Sequence, residues 1–140
     1  MLFKALLMPV AGITDFDKLP IPYRAVAADL ETGDMVVIKG GSLAEAARAS
    51  MSVPGVFPPA EIEGRYLIDG GIVRNLPVDI VRAMGADILI VVDVGKPLPK
   101  REEITSSLKV LGQMLDIMMK ANVDAQIATL TDKDILSLIH

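Results

Sequence analysis

The chain of 140 residues predicts an α/β fold on a mostly parallel sheet, and three features carry that expectation. Short runs of strand composition alternate with helical segments, an order that builds parallel strands joined by right-handed crossovers. The run Ile88-Leu89-Ile90-Val91-Val92 is apolar on both faces, as a central strand between two helical layers must be. The segment between Pro77 and Gly85 opens on proline and stops at glycine, the asymmetry of helix ends.

Taken in order, residues 1–22 give a short amphipathic start and a Pro-rich approach, Leu19-Pro20-Ile21-Pro22. A strand is expected over Tyr23–Leu30, followed by turn chemistry in Glu31-Thr32-Gly33-Asp34 and a second hairpin arm over Met35–Lys39. Ser42 to about Ser50 is rich in Ala, Glu and Leu and reads as a helix. Arg65–Asp69 is a short strand stopped by two glycines, and Pro77–Met84 a helix. Asp87–Val94 is the best strand, residues 104–130 a long helix, and Asp134–Ile139 a terminal strand. The stripe Leu108, Leu111, Met114, Leu115, Met118 and Met119 on that long helix reads first as core packing at helical spacing, and second as a self-associating face.

Composition narrows the function classes. AVILMFWYC make up 51% before the 11 glycines are counted, against about 45–50% for soluble domains with glycine included. Two explanations stand side by side: a Val/Ile-rich sheet covered on both faces, or the interior of a larger domain without its polar cover. The longest apolar run is five residues, far below the roughly 18 of a membrane span, so no transmembrane segment is expected. The opening residues lack a basic n-region and a full h-region, so no signal peptide is read and the expected location is cytoplasmic. A net charge of −4 without a basic block argues against nucleic acid as a partner. With no cysteine and a single histidine, His140, no metal or cofactor is expected, and a Ser-His-Asp triad within the chain is not supported.

Three carboxylates, Asp29, Asp69 and Asp93, fall near the carboxyl ends of expected strands, where open α/β sheets collect their reactive groups. Asp29 and Asp93 read as turn or strand-end carboxylates. Asp69 differs in being followed by Gly70 and Gly71, which can take positive φ and leave room for substrate beside the backbone. A tight turn, with Asp69 bonding nearby amides, explains the same residues. No serine offers itself as a nucleophile. Gly40-Gly41-Ser42-Leu43-Ala44 ends in Ala where the G-x-S-x-G elbow needs Gly, and Ser42 with Glu45 forms a helix-capping box instead. Ser50 and Ser52 lack the flanking glycines.

Three runs carry a resemblance. They are Asp15-Phe16-Asp17-Lys18-Leu19-Pro20-Ile21-Pro22-Tyr23-Arg24 continuing to Gly33, then Ala47-Arg48-Ala49-Ser50-Met51-Ser52-Val53-Pro54-Gly55-Val56-Phe57-Pro58-Pro59, then Leu67-Ile68-Asp69-Gly70-Gly71-Ile72-Val73-Arg74-Asn75-Leu76-Pro77-Val78 with Met84-Gly85-Ala86-Asp87. In this order they cover most of residues 15–95, and the chain resembles the bacterial patatin-like phospholipases.

The resemblance implies a three-layer α/β/α fold and ester hydrolysis by a Ser-Asp dyad acting on a lipid or other acyl ester. Asp69 matches the acid of the family's D-G-G motif, with Gly70 and Gly71 as its supporting glycines, and would be the general base toward serine without an intervening histidine. The family's nucleophile elbow and Gly-rich oxyanion segment precede the region matched. Residues 1–140 are therefore expected to form the C-terminal portion of one patatin-like domain without its nucleophile-bearing part. Such a chain would be inactive alone, since losing even one oxyanion donor costs roughly 3–4 kcal/mol. Its partner would be an N-terminal half or, if it is a non-catalytic remnant serving as an interaction module, another copy of itself.

Overall fold

Small side chains decide how the first part of the chain packs. In the computed structural model, residues 2–95 and 97–139 are described, and they fall into two units, Met1–Val73 and Arg74–His140. At the centre of the first is β1, Ala25–Asp29, with every residue buried. It pairs antiparallel with β2, Met35–Ile38, on one side and with β4, Arg65–Asp69, on the other. A short strand β3, Ala60–Ile62, pairs antiparallel with β4 and completes the order β2-β1-β4-β3. A single-turn helix α1, Leu2–Leu6, precedes the sheet.

The helix α2, Leu43–Ser50, lies against this sheet, and Ala46 and Ala49 share one core with Ala25, Ala27, Ile38, Leu67, Phe16 and Leu19. Alanine is a poor strand former by propensity. Here Ala25 and Ala27 face two helical alanines, so strand and helix can pack closely while Phe16, fully buried, fills the remaining space. The β1–β2 turn is fixed by Asp29, whose Oδ1 accepts from the amides of Glu31 at 2.9 Å and Thr32 at 3.3 Å. The β3–β4 hairpin turns on Glu63 and Gly64, both at positive φ (51° and 75°), the geometry of a two-residue primed turn.

A short helix α3, Gly71–Arg74, spans the boundary between the units. In the second unit α4, Val78–Ala83, begins after Pro77 and stops before Gly85, as its sequence signals require. A β–α–β crossover follows, made of β5 (Ile90–Asp93), α5 (Ser107–Ile127) and β6 (Ile135–Leu138), with β5 and β6 parallel from Ile90↔Ile135 to Asp93↔Leu138. Its core joins Leu76, Val78, Leu89, Val91 and Val123.

Three expectations are corrected. The sheet is not mostly parallel among the described residues, since the four-stranded sheet is antiparallel throughout and only β5–β6 is parallel. Tight turns join β1 to β2 and β3 to β4, and a tight turn can produce only antiparallel neighbours. The run expected to be a central strand is one of a pair, with Val91 buried but Ile90 74% and Val92 47% exposed. The α5 stripe also differs from core packing: Leu108, Leu111, Met114 and Met118 are exposed, while the helix buries Val123 and Gln126 nearer its end. Among the described residues no helix is long and apolar enough to cross a membrane.

Candidate active site

Asp69 is the last residue of β4 and lies opposite Ala27 of β1. Alternation along the strand puts it on the same face as Leu67, the face that α2 covers. Its backbone amide donates to the carbonyl of Ser52 at 3.1 Å, and its Oδ1 accepts from the amide of Gly71 at 2.7 Å. Two hydrogen bonds thus fix the residue, one through its main chain and one through its carboxylate. Among the hydrogen bonds of the described residues none reaches Oδ2, which leaves that oxygen able to accept a hydroxyl proton.

The glycines serve a different purpose from the one expected. Neither Gly70 nor Gly71 is among the glycines with positive φ, which in the described residues are Gly33, Gly41, Gly55, Gly64 and Gly85. Gly70 is needed for close approach instead. A methyl group there would fall on the carbonyl of Val26 in β1 and 2.9 Å from the amide nitrogen of Ala27. Gly71 supplies the amide that holds Asp69 and opens α3.

The partner of the Asp69 amide is itself restrained. Ser52 is fully buried, and its hydroxyl donates to the carbonyl of Arg48 at 2.8 Å. The Arg48 guanidinium donates from Nη1 to the Ser52 hydroxyl and from Nη2 to the carbonyl of Pro58 at 2.9 Å. It also lies 5.3 Å from the ring centre of Phe57. This clamp escaped the sequence reading, although Arg48 and Ser52 stand four apart at the end of a helix, a spacing at which side chains meet.

The other candidates resolve as structural groups. Ser42 caps α2, its hydroxyl accepting from the amide of Glu45 at 3.3 Å. Asp93 accepts from the amide of Gly95 at 2.8 Å, an Asx turn at a strand end. Asp29 holds its turn and lies 3.9 Å from Nε of Arg65. Because β1 and β4 run antiparallel, their carboxyl ends point in opposite directions, so Asp29 and Asp69 do not share one edge of the sheet. His140 lies outside the described residues. Among those described, no serine hydroxyl is hydrogen-bonded to Asp69.

A carboxylate that the sequence reading passed over organises the second unit. Asp134 accepts from the Thr131 amide at 2.8 Å and hydroxyl at 3.0 Å, from the Leu89 amide at 2.9 Å, and from Arg82. Its side chain is wholly shielded from solvent. The Thr131 amide is the largest cause of a pKa lowered to about 2, with the Leu89 amide, the Thr131 hydroxyl and Arg82 adding to it against the opposing effect of burial. With every contact directed at holding β5, β6 and α4 together, this group is architectural.

Residues 14–82 match the family model for patatin-like phospholipase. An uncharacterized NTE family protein of Mycobacterium tuberculosis is 44% identical over 85 residues, which is 61% of this chain and 24% of that protein. Patatin-like phospholipase domain-containing protein 6 of Homo sapiens is 44% identical over 81 residues, 56% of this chain and 6% of that protein. Protein 7 of the same designation from Mus musculus is 43% identical over 81 residues, with the same coverage. The chain therefore spans about a quarter of the length of the mycobacterial relative it matches, and much less of the mammalian ones. The matched residues include the sheet of the first unit, the Arg48–Ser52 clamp and Asp69-Gly70-Gly71, and through them the chain belongs to the patatin-like phospholipase family.

Proposed function

We propose that this chain carries the acid of a patatin-like serine acyl hydrolase, with Asp69 as general base toward a serine that lies outside these 140 residues. The observation that carries the proposal is a carboxylate fixed at a strand end inside the family-matched segment, with one oxygen held by the Gly71 amide. The sequence contains no G-x-S-x-G elbow, so the nucleophile has to come from elsewhere in the working enzyme. The three-layer α/β/α arrangement belongs to that complete domain, of which residues 1–140 are the C-terminal portion, and a cytoplasmic site of action goes with the same reading.

In the reaction the serine hydroxyl gives its proton to Asp69 as its oxygen attacks the ester carbonyl. The tetrahedral intermediate collapses, the alcohol leaves with that proton, and an acyl-serine remains. Water, deprotonated by the same carboxylate, then releases the fatty acid or other carboxylic acid and regenerates the serine. The substrate class is a lipid acyl ester. The chain alone lacks both nucleophile and oxyanion donors and is inactive.

A second reading rests on one observation, the exposed apolar residues of α5 and β6, among them Leu108 at 75% and Ile135 at 56%. A chain of this kind could persist as a non-catalytic interaction module. Esterase assays on this chain combined with a nucleophile-bearing segment of the family separate the two. Activity that disappears in Asp69→Asn supports the hydrolase; undiminished activity in that variant rejects Asp69 as the base.

A further inference from the structure

We propose that Arg48 is a positioning residue for Asp69, acting through the turn from Ser52 to Pro58; the proposal rests on the acyl-hydrolase reading above. The turn leaves α2 and returns to the sheet within ten residues, and its carbonyl at Ser52 is the acceptor for the Asp69 amide. A turn of this length that contains Pro54, Gly55, Pro58 and Pro59 has little regular backbone bonding of its own. It is closed by the amides of Val56 and Phe57, both 3.0 Å from the Val53 carbonyl.

Arg48 holds the two ends of that turn at once. One arm of its guanidinium reaches the Ser52 hydroxyl and the other the Pro58 carbonyl at 2.9 Å, and the Ser52 hydroxyl returns its own proton to the Arg48 carbonyl at 2.8 Å. Only a planar fork with several donors can grip two oxygens in this way, and the ammonium of lysine cannot reproduce it. With the Ser52 side chain fully buried, the direction of the Ser52 carbonyl is set, and with it the place of the Asp69 main chain. The Gly71 amide fixes the carboxylate from the other side. Removing Arg48 frees one of the two anchors and leaves the other, so the acid stays in the site but samples orientations away from the serine.

The test has two arms, both on the full chain. In the first, NMR follows amide exchange and the χ1 couplings of Asp69 in the chain alone. In Arg48→Gln the Asp69 amide is expected to exchange at least about tenfold faster and its χ1 to average, while the Leu67 amide keeps its protection. Unchanged exchange and χ1 at Asp69 would overturn the proposal, whatever the activity. Should Arg48→Gln fail to fold, Ser52→Ala, which keeps the Arg48–Pro58 contact, is read in the same way.

In the second arm the chain is combined with a nucleophile-bearing segment. Arg48→Gln is expected to lower kcat roughly 10–100-fold with KM unchanged, and Arg48→Lys to fall between it and the parent. If Asp69→Asn is inactive while Arg48→Gln keeps its kcat, the positioning role is wrong and the dyad stands. If Asp69→Asn is fully active, the hydrolase reading falls, and the exchange measurement still decides whether Arg48 holds Asp69.

Discussion

The Asp69 amide donates to the Ser52 carbonyl at 3.1 Å, tying the end of β4 to the turn that follows α2. That bond connects two of the sequence runs that carry the family likeness, the one around Ser52 and the one around Asp69-Gly70-Gly71. The motif is therefore a three-dimensional unit, in which the acid sits on the sheet and a buried turn holds its backbone.

Gly70→Ala should destabilise the first unit by about 1–3 kcal/mol, because the new methyl meets the backbone of Val26 and Ala27 and the strand cannot give way without losing its pairing. Urea unfolding monitored by circular dichroism checks this, and a fall in the midpoint at unchanged slope is the expected result.

Asp134 predicts an acid limb in stability. Its folded pKa is lowered, so its contribution is fully present above the ordinary carboxylate value near pH ~4 and is lost as pH falls toward about 2. Urea midpoints taken between these values should fall steeply in the parent and less steeply in Asp134→Asn. Parallel slopes in the two proteins would show that the group is not the one titrating.

Glu63 occupies a left-handed backbone position, φ 51°, that asparagine tolerates better. Glu63→Asn should stabilise the β3–β4 hairpin by roughly 0.5 kcal/mol, since Asn-Gly is the preferred pair for a primed turn. A rise in the thermal midpoint is the readout.

Ser42→Ala should cost about 1 kcal/mol, the usual loss of a helix N-cap, because it removes the acceptor of the Glu45 amide. The same substitution should leave activity of the assembled enzyme unchanged, as expected of a cap and not of a nucleophile.

Much of the fold was legible. The bounds of β4, the Ser42 cap and the Asp29 turn are legible in local chemistry, and Pro77 and Gly85 bracket α4. Those features rest on neighbours within a few residues. The β3–β4 hairpin is not legible because Glu-Gly lacks the turn signal of Asn-Gly, although Glu63 adopts the same backbone. Sheet direction is not legible because β1 and β4 are partners about 40 residues apart, and nothing in either strand marks that they run antiparallel. Asp69 stands out in the sequence by its glycines and its family likeness, but Gly70 is required for close approach to β1 and not for positive φ. The Arg48 clamp and the Arg82–Asp134 pair depend on tertiary placement, and composition cannot reveal them.

The most direct test of the central claim is fluorophosphonate labelling read by intact mass, with this chain alone and then with a nucleophile-bearing segment of the family. The account predicts no label on this chain, label on the added segment when both are present, and loss of that label when Asp69→Asn replaces the parent. Label on a serine of this chain by itself, or equal labelling of the segment with Asp69→Asn, would contradict it.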